Sequence, residues 1–335
     1  MRHSTIHLLR SPDTGNSLRC VEYQGQNGRI VEAALWDDGA NQWFRIEEEI
    51  ADLSPFDLRD AQADAAFAEK HGLPYDPETL RQPDANAVEQ RRFFGEEFER
   101  YEAEVVESPF YRVLDEATLG RWVGKTLETP QLIAEVGAGS GRQTRILAAA
   151  GHDVVALDLS PAMLRLAQKK LRKLGLYDRV DLVVGAGEAP PYAGGSFDSW
   201  VIMGSLHHFS DPAEAVIRCC RLLKPGGHMF LLEPHRSPLR PVFDWLMRRN
   251  QLWHEEANED PLFTFEKFNE WLVRAGVTAT ITTSTFLPPH VFYWLPSRAG
   301  HGLLVGTDVA LGSLPGIRRL GGVIIARGRQ TGPIS

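Results

Sequence analysis

Three glycines in the middle of the chain, with one acidic residue before them and one after, could hold a nucleoside. The segment reads Glu135-Val-Gly137-Ala-Gly139-Ser-Gly141 and lies between a short apolar run and a helix-favouring stretch. Glycines at a strand-to-helix turn let the backbone approach a ligand and leave free N–H groups at a helix N-terminus. Asp158 follows about 20 residues later, where a carboxylate usually holds a ribose. The spacing predicts a nucleoside-containing cofactor.

The same spacing distinguishes between cofactors. A dinucleotide fingerprint requires Gly or Ala three residues after its second glycine, and this chain has Arg142 there. The third glycine comes one position early, which gives G-x-G-x-G. The carboxylate of Glu135, two residues before the glycines, suits a ligand with an ammonium and a sulfonium better than a pyrophosphate.

The segment resembles motif I of the class I S-adenosylmethionine (SAM) dependent methyltransferases. Further segments are similar to later motifs of that family, in order and at its spacing: Gly185–Tyr192 with Gly195–Asp198, Val201–Phe209, and Leu223–Gly227. The resemblance covers roughly residues 130–235. It implies a Rossmann-like α/β fold with a seven-stranded sheet, whose last strand inserts antiparallel beside strand 5, and SAM as the cofactor.

The resemblance also implies which residues contact the cofactor. They are Glu135, Gly137, Ala138, Gly139, Gly141, Asp158, Leu159, Met163, Gly187, Glu188, Met203 and Gly204. One departure concerns adenine: the family often has Asp where this chain has Ala186. Backbone groups are then the alternative partners for the adenine amine.

Methyl transfer needs a base only when the acceptor arrives protonated. His207 and His208 follow predicted strand 4, at the carboxyl edge of the sheet where ligands bind in such folds. Either could be a base, or could line the cofactor without chemistry. His254 lies in a variable segment and is a third candidate. The acidic residues that follow it, up to Asp260, fit no metal-ligand spacing and predict a solvated helix end, so we expect no metal.

Three regions are predicted. Residues 1–60 form a small β-rich module, residues 61–128 a helical linker or cap, and residues 129–335 the SAM-binding domain, with a helical insertion at 236–263 and an irregular variable segment at 286–316. The first region resembles the zinc-ribbon-like module that partners or precedes some methyltransferases. It lacks both cysteine pairs, since Ser11 and Thr14 stand where the first pair would be and no cysteine occurs between Cys20 and Cys219. Four ligands are needed for structural zinc, so we predict packing without zinc.

Composition limits the partners. The formal net charge of −8 argues against nucleic acid, because neutralising phosphates supplies most of that affinity. Three cysteines and no bilayer-length apolar run predict a cytoplasmic protein without a membrane span; an oligomer is compatible with the sequence. Aromatic residues in the variable segments predict an acceptor pocket for an aromatic, lipid or natural-product small molecule, unless they only form the core of the cap. An rRNA or tRNA methyltransferase and a non-catalytic scaffold remain alternatives.

Overall fold

One mixed sheet forms the centre of the molecule. The computed structural model describes residues 1–75, 85–96, 108–128, 130–242, 245 and 263–332. The strands are β1 Arg19–Gln26, β2 Arg29–Asp37, β3 Gln42–Glu47, β4 Ile50–Asp52, β5 Leu132–Val136, β6 Asp153–Asp158, β7 Val180–Val184, β8 Phe197–Met203, β9 Leu223–Pro234, β10 Val277–Ser284 and β11 Val323–Gln330. Their order across the sheet is β1-β2-β3-β4-β7-β6-β5-β8-β9-β11-β10.

Among the parallel strands, helices connect β5 to β6, β6 to β7 and β8 to β9. In the described ranges the α-helices are His3–Ile6, Ala61–His71, Ala85–Glu96, Pro109–Asp115, Arg121–Thr126, Arg142–Ala149, Pro161–Lys173, Pro212–Arg221, Phe265–Arg274 and Ser297–Gly312. Strand β11 runs antiparallel to β9 and β10, which confirms the antiparallel last strand that the family resemblance implied. None of the helices in these ranges is long and apolar enough to cross a membrane.

The expected seven-stranded sheet is wrong, because the sheet that the described residues form has eleven strands. The order from β7 to β10 contains seven strands, and β1 to β4 add four more at the β7 edge. Strand β4 pairs in parallel with β7, with Ile50 opposite Leu182 and Asp52 opposite Val184. The first 60 residues therefore supply hydrogen-bond partners to backbone groups that β7 would otherwise present at an open edge.

The region 286–316 is also more regular than expected. It contains a 3-10 turn, Pro289–Trp294, and a 16-residue helix, Ser297–Gly312. The helix lacks a side-chain cap and carries several glycines, so its sequence carries few helix signals. Close packing accounts for one of these glycines, Gly300. A Cβ there would lie 3.3 Å from Val113 Cγ2, because the helix packs closely against Pro109–Asp115.

Apolar side chains fill both faces of the sheet. On one face, Leu35, Phe44 and Ile46 of the first 60 residues share a core with Val155 and Val183 of the parallel strands. The described part of residues 1–60 thus packs into the core of the chain. Cys20 is a free thiol, and the described residues contain no group of three or more His, Cys, Asp or Glu placed to hold a metal. Most of the predicted insertion at 236–263 lies outside the described residues.

Candidate cofactor site

The glycine turn follows β5 and forms the floor of a cleft. The N–H groups of Gly137 and Ala138 both donate to the carbonyl of Leu157 at 2.9 Å, which ties the turn to the end of β6. Gly137 has φ +76°, and a Cβ on it would overlap the side chain of Ser205. Only glycine meets both conditions. The turn therefore presents bare backbone to the cleft.

Asp158 closes the turn from the end of β6. Its Oδ2 accepts the N–H of Gly139 at 2.7 Å, and its Oδ1 accepts the N–H of Ser160 at 2.8 Å. Burial raises the pKa of Asp158, although the backbone hydrogen bonds oppose that shift. The carboxylate also lines the cleft. Because two carboxylate oxygens have about four acceptor positions, Asp158 can hold the turn and still accept ligand hydroxyls.

A second wall begins after β7. Gly187 and Glu188 line it, and a Cβ on Gly187 would overlap the ring of Phe209. Glu188 Oε1 accepts the N–H of Ser210 at 3.0 Å, which joins this wall to the segment that follows β8. Glycine at position 187 thus lets an aromatic ring lie directly against the backbone of the wall.

The third wall is the helix Ala85–Glu96, called here the cleft helix. Asn86, Ala87, Gln90 and Phe94 face the cleft. Asn86 Nδ2 donates to the carbonyl of His208 at 3.0 Å and to Ser210 Oγ at 3.1 Å. The sequence interpretation predicted a helical linker or cap at residues 61–128 but named none of these four positions, since no motif distinguishes them from a solvated helix face.

The cleft contains about 740 Å³ of space free of protein atoms, part of it open to solvent. The predicted residues that line it are Gly137, Gly139, Asp158, Leu159, Met163, Gly187, Glu188, Gly204 and His208. Residues that line it and were missed are Asn86, Ala87, Gln90, Phe94, Leu157, Ser160, Gly185, Ser205 and Phe209. Ala138, Gly141, Met203, Glu135 and His207 do not line it.

Two residues that do not line the cleft support it from behind. A Cβ on Gly141 would lie 3.2 Å from the Cβ of Ala167, so this glycine lets the helix Pro161–Lys173 pack closely. Glu135 is buried under the turn, and burial raises its pKa to about 8, against the opposing effect of hydrogen bonds from Thr144. Near neutral pH the side chain of Glu135 is therefore mostly protonated.

The raised pKa of Glu135 makes stability depend on pH. Between about pH 4.3, the unfolded value, and about 8, the folded value, the unfolded chain releases a proton that the folded protein keeps. The contribution of Glu135 to the free energy of unfolding is therefore fully present below the lower pKa, and it is lost as the pH rises through the upper pKa. We expect Glu135→Gln to raise the free energy of unfolding, relative to the unsubstituted protein, by roughly 2–4 kcal/mol at pH 8.5 and hardly at pH 4.

Urea denaturation at the two pH values measures this difference. The matched control is Glu128→Gln, the same chemical change at an exposed position just before β5; it should give no pH-dependent gain. Equal pH dependence in Glu135→Gln and in the unsubstituted protein would contradict a neutral Glu135.

The two histidines after β8 have different surroundings. His207 is buried, and its Nδ1 lies 2.6 Å from Glu233 Oε2 on β9. The other oxygen of Glu233 accepts the N–H groups of Ser205 at 3.0 Å and Leu206 at 2.8 Å. Glu233, which the sequence interpretation missed, thus fixes the turn that contains His207.

His208 instead faces the cleft, with its ring edge-on to Phe94 at 5.3 Å between centroids. Of the two adjacent histidines, it is the one whose ring reaches the site. The third candidate base, His254, lies outside the described residues.

Fold and cleft together define a class: an α/β protein with a ligand site at the carboxyl ends of its parallel strands, where such sheets bind nucleoside cofactors. The site combines a glycine turn, a carboxylate at the end of the second parallel strand and an aromatic ring.

Comparison with known proteins narrows the class. Residues 134–231 match the family model described as a methyltransferase domain. The chain is 30% identical, over 148 residues, to a demethylmenaquinone methyltransferase of Renibacterium salmoninarum, covering 42% of this chain and 60% of that protein. It is 39% identical, over 106 residues, to a ubiquinone biosynthesis O-methyltransferase of Methylococcus capsulatus, covering 31% and 43%. The chain thus spans less than two thirds of either relative.

A solved structure supports the fold assignment. The magnesium protoporphyrin IX methyltransferase of Synechocystis PCC 6803, crystallised with bound S-adenosylhomocysteine (SAH), superposes with a TM-score of 0.52 at 16% identity, covering 73% of this chain and 99% of that one. At this identity the likeness concerns the fold alone. The match of residues 134–231 to the methyltransferase domain and this likeness of fold agree with each other.

Proposed function

We propose that the protein is an enzyme that transfers a methyl group from SAM to a small-molecule acceptor. The observation that carries the proposal is the cleft in which Asp158 and the glycine turn meet, within a segment that matches the methyltransferase domain. Bound SAM supplies a methyl group already activated by a positive sulfur. The protein then has to orient the acceptor and exclude water, and orientation of this kind provides much of the rate.

The residues of the cleft fit the parts of SAM. Asp158 offers acceptor positions for the ribose hydroxyls, and Leu159, Met163 and Phe209 offer apolar surface for the adenine. The bare backbone of Gly137 and Gly139 admits the methionine portion. Ala186 provides no carboxylate for the adenine amine, so backbone groups of the wall after β7 are the proposed partners.

A small hydrophobic acceptor is the substrate class that we favour. The names of both relatives refer to quinones, which are small molecules with apolar tails. The net charge of −8 agrees poorly with a polyanionic substrate such as RNA. We therefore propose a ring-bearing, lipid-like acceptor, methylated on oxygen, nitrogen or carbon.

Calorimetric titration with SAH, beside NAD, tests the cofactor assignment directly. We expect micromolar binding of SAH and none of NAD. If SAH binds, a screen of quinone precursors and other ring-bearing acceptors with methyl-labelled SAM tests the substrate class. Absence of SAH binding would favour a scaffold protein, and binding of NAD would overturn the interpretation of the glycine turn. Transfer of label only to RNA would show that the acceptor is RNA and not a small molecule.

For acceptors that arrive protonated, we propose His208 as the general base, since its ring reaches the cleft. A positioned base contributes about 10²- to 10⁴-fold to a rate. His208→Asn should therefore lower kcat by about that factor while changing the Kd for SAH far less. The matched variant His207→Asn, at the residue held by Glu233, should lower thermal stability instead. An unchanged kcat in His208→Asn would mean that His208 is not the general base.

A further inference from the structure

The cleft helix is attached to the first 60 residues of the chain, called here the ribbon module. A short series of buried polar contacts begins inside the module. Arg45 Nη2 on β3 donates to Asp52 Oδ2 on β4 at 2.6 Å, and Asp52 Oδ1 accepts the hydroxyl of Ser54 at 2.6 Å and its N–H at 3.1 Å. All three side chains are buried. The charges at the end of β4 are thus paired, and the chain leaving β4 is fixed.

Arg91 continues this series onto the cleft helix. Its Nη1 donates to the carbonyl of Leu58 and lies 3.5 Å from Ser54 Oγ. Gln90 and Phe94, next to it and one turn further along the helix, face the cleft. Arg91 itself does not line the cleft, so its contacts act on the position of the helix rather than on a ligand.

The segment that holds Arg91 is also attached to the opposite wall of the cleft. Leu53 N–H donates to the carbonyl of Val184 at 2.8 Å, at the end of β7. The next residue, Gly185, lines the cleft, and a Cβ on it would lie 3.3 Å from the Leu53 carbonyl oxygen. Residues 53–58 therefore join the wall after β7 to the cleft helix.

The cleft helix has a second attachment near its first residue. Asn86 donates to the segment after β8 at His208 and Ser210. Arg91 and Asn86 lie more than one helical turn apart, and Ser160 Oγ lies 3.5 Å from the carbonyl of Phe94 as a longer contact further along the helix. Together these attachments fix both the position and the tilt of the helix.

We propose that the ribbon module sets the affinity for SAM by holding the cleft helix over the cofactor, with Arg91 as the positioning residue. This inference rests on the proposed function, because it takes the cleft as the SAM site. A hydrogen bond from a charged donor contributes roughly 1.5–3 kcal/mol. Without the Arg91 hydrogen bond, the helix adopts its cofactor-binding position less often in the free protein. SAM must then restore that position on binding, which lowers its apparent affinity.

The test compares two neighbouring arginines of the cleft helix. Arg91→Ala removes the contact with the module, and Arg92→Ala removes an exposed arginine that pairs with Glu89 on the same helix. Both variants lose one positive charge and gain the same helix-favouring residue. We expect Arg91→Ala to raise the Kd for SAH roughly tenfold or more, and Arg92→Ala to change it less than about twofold. In turnover, Arg91→Ala should raise the KM for SAM more than it lowers kcat.

Hydrogen exchange on the ligand-free protein gives a reading that does not depend on the cofactor. The amides of residues 85–96 should exchange faster in Arg91→Ala than in Arg92→Ala, while those of β5 and β6 should be unchanged. Ser54→Ala, which keeps the Leu58 carbonyl, should lie between the two in both measurements. Arg91→Lys should recover part of the affinity.

The outcomes separate the two proposals. If the unsubstituted protein binds no SAH, the proposed function fails, and the exchange experiment alone decides whether Arg91 holds the helix. If SAH binds and Arg91→Ala matches Arg92→Ala in affinity and exchange, the positioning role of Arg91 is overturned. A lower melting temperature with unchanged KM and Kd would also overturn it, since Arg91 would then be only structural.

Discussion

Replacing Asp158 by asparagine is expected to weaken SAH binding by roughly 10- to 100-fold. The carboxylate accepts the N–H groups of Gly139 and Ser160 and faces the cleft with its remaining acceptor positions. Asparagine keeps the shape but has one acceptor oxygen and an NH₂ group, which cannot accept both backbone donors and the ribose hydroxyls. Calorimetry with SAH measures the loss.

The control for this substitution lies at the other end of the same strand. Asp153 begins β6, is partly exposed and pairs with Arg2. Asp153→Asn makes the same chemical change away from the cleft and should leave the Kd for SAH within about twofold. Equal affinities in the two variants would mean that the carboxylate at the end of β6 does not hold the cofactor.

Gly137→Ala should abolish detectable SAH binding and destabilise the fold. Two effects add, because the added Cβ would overlap Ser205, and a residue with a side chain at φ +76° is strained. The backbone strain alone costs about 1–2 kcal/mol, and relief of the overlap would displace the segment after β8 that lines the cleft.

A double variant separates the overlap from the strain. Ser205→Gly should remove the overlap, so Gly137→Ala with Ser205→Gly should regain part of the affinity while the strain at position 137 persists. Ser205→Gly alone serves as the control and should still bind SAH. If the double variant binds no better than Gly137→Ala, the space beside Ser205 is not what position 137 requires.

The sequence predicted the parts of the site that depend on local spacing. The glycine turn and Asp158 lie at the ends of neighbouring parallel strands, and the topology of such a sheet brings those ends together. The position of the cleft helix over the site could not be predicted in the same way. Asn86 and Arg91 act through residues more than 30 positions away, such as His208 and Leu58, and nothing in their own neighbourhood indicates those partners. Glu233 was missed for the same reason, since its partner His207 belongs to another strand end.

The number of strands in the sheet could not be predicted from local sequence patterns either. Strand β4 has three residues and follows Glu48 and Glu49, both with positive φ, so neither its length nor its flanks suggest a strand. Its pairing with β7 depends on where the hairpin of β2 and β3 places the residues that follow it. The zinc-ribbon likeness indicated a β-rich region but not that this region joins the main sheet.

The pairing of β4 with β7 has a consequence for anyone who wishes to shorten this protein. The motifs begin near residue 130, which suggests that residues 1–128 could be removed. On β7, however, Asp181 is fully buried and is paired with Arg2 at 2.7 Å and Arg29 at 3.1 Å. A shortened chain would remove both arginine partners of that carboxylate together with β4, and it would leave β7 as an exposed strand edge that invites aggregation. The smallest useful expression unit therefore includes the first strands.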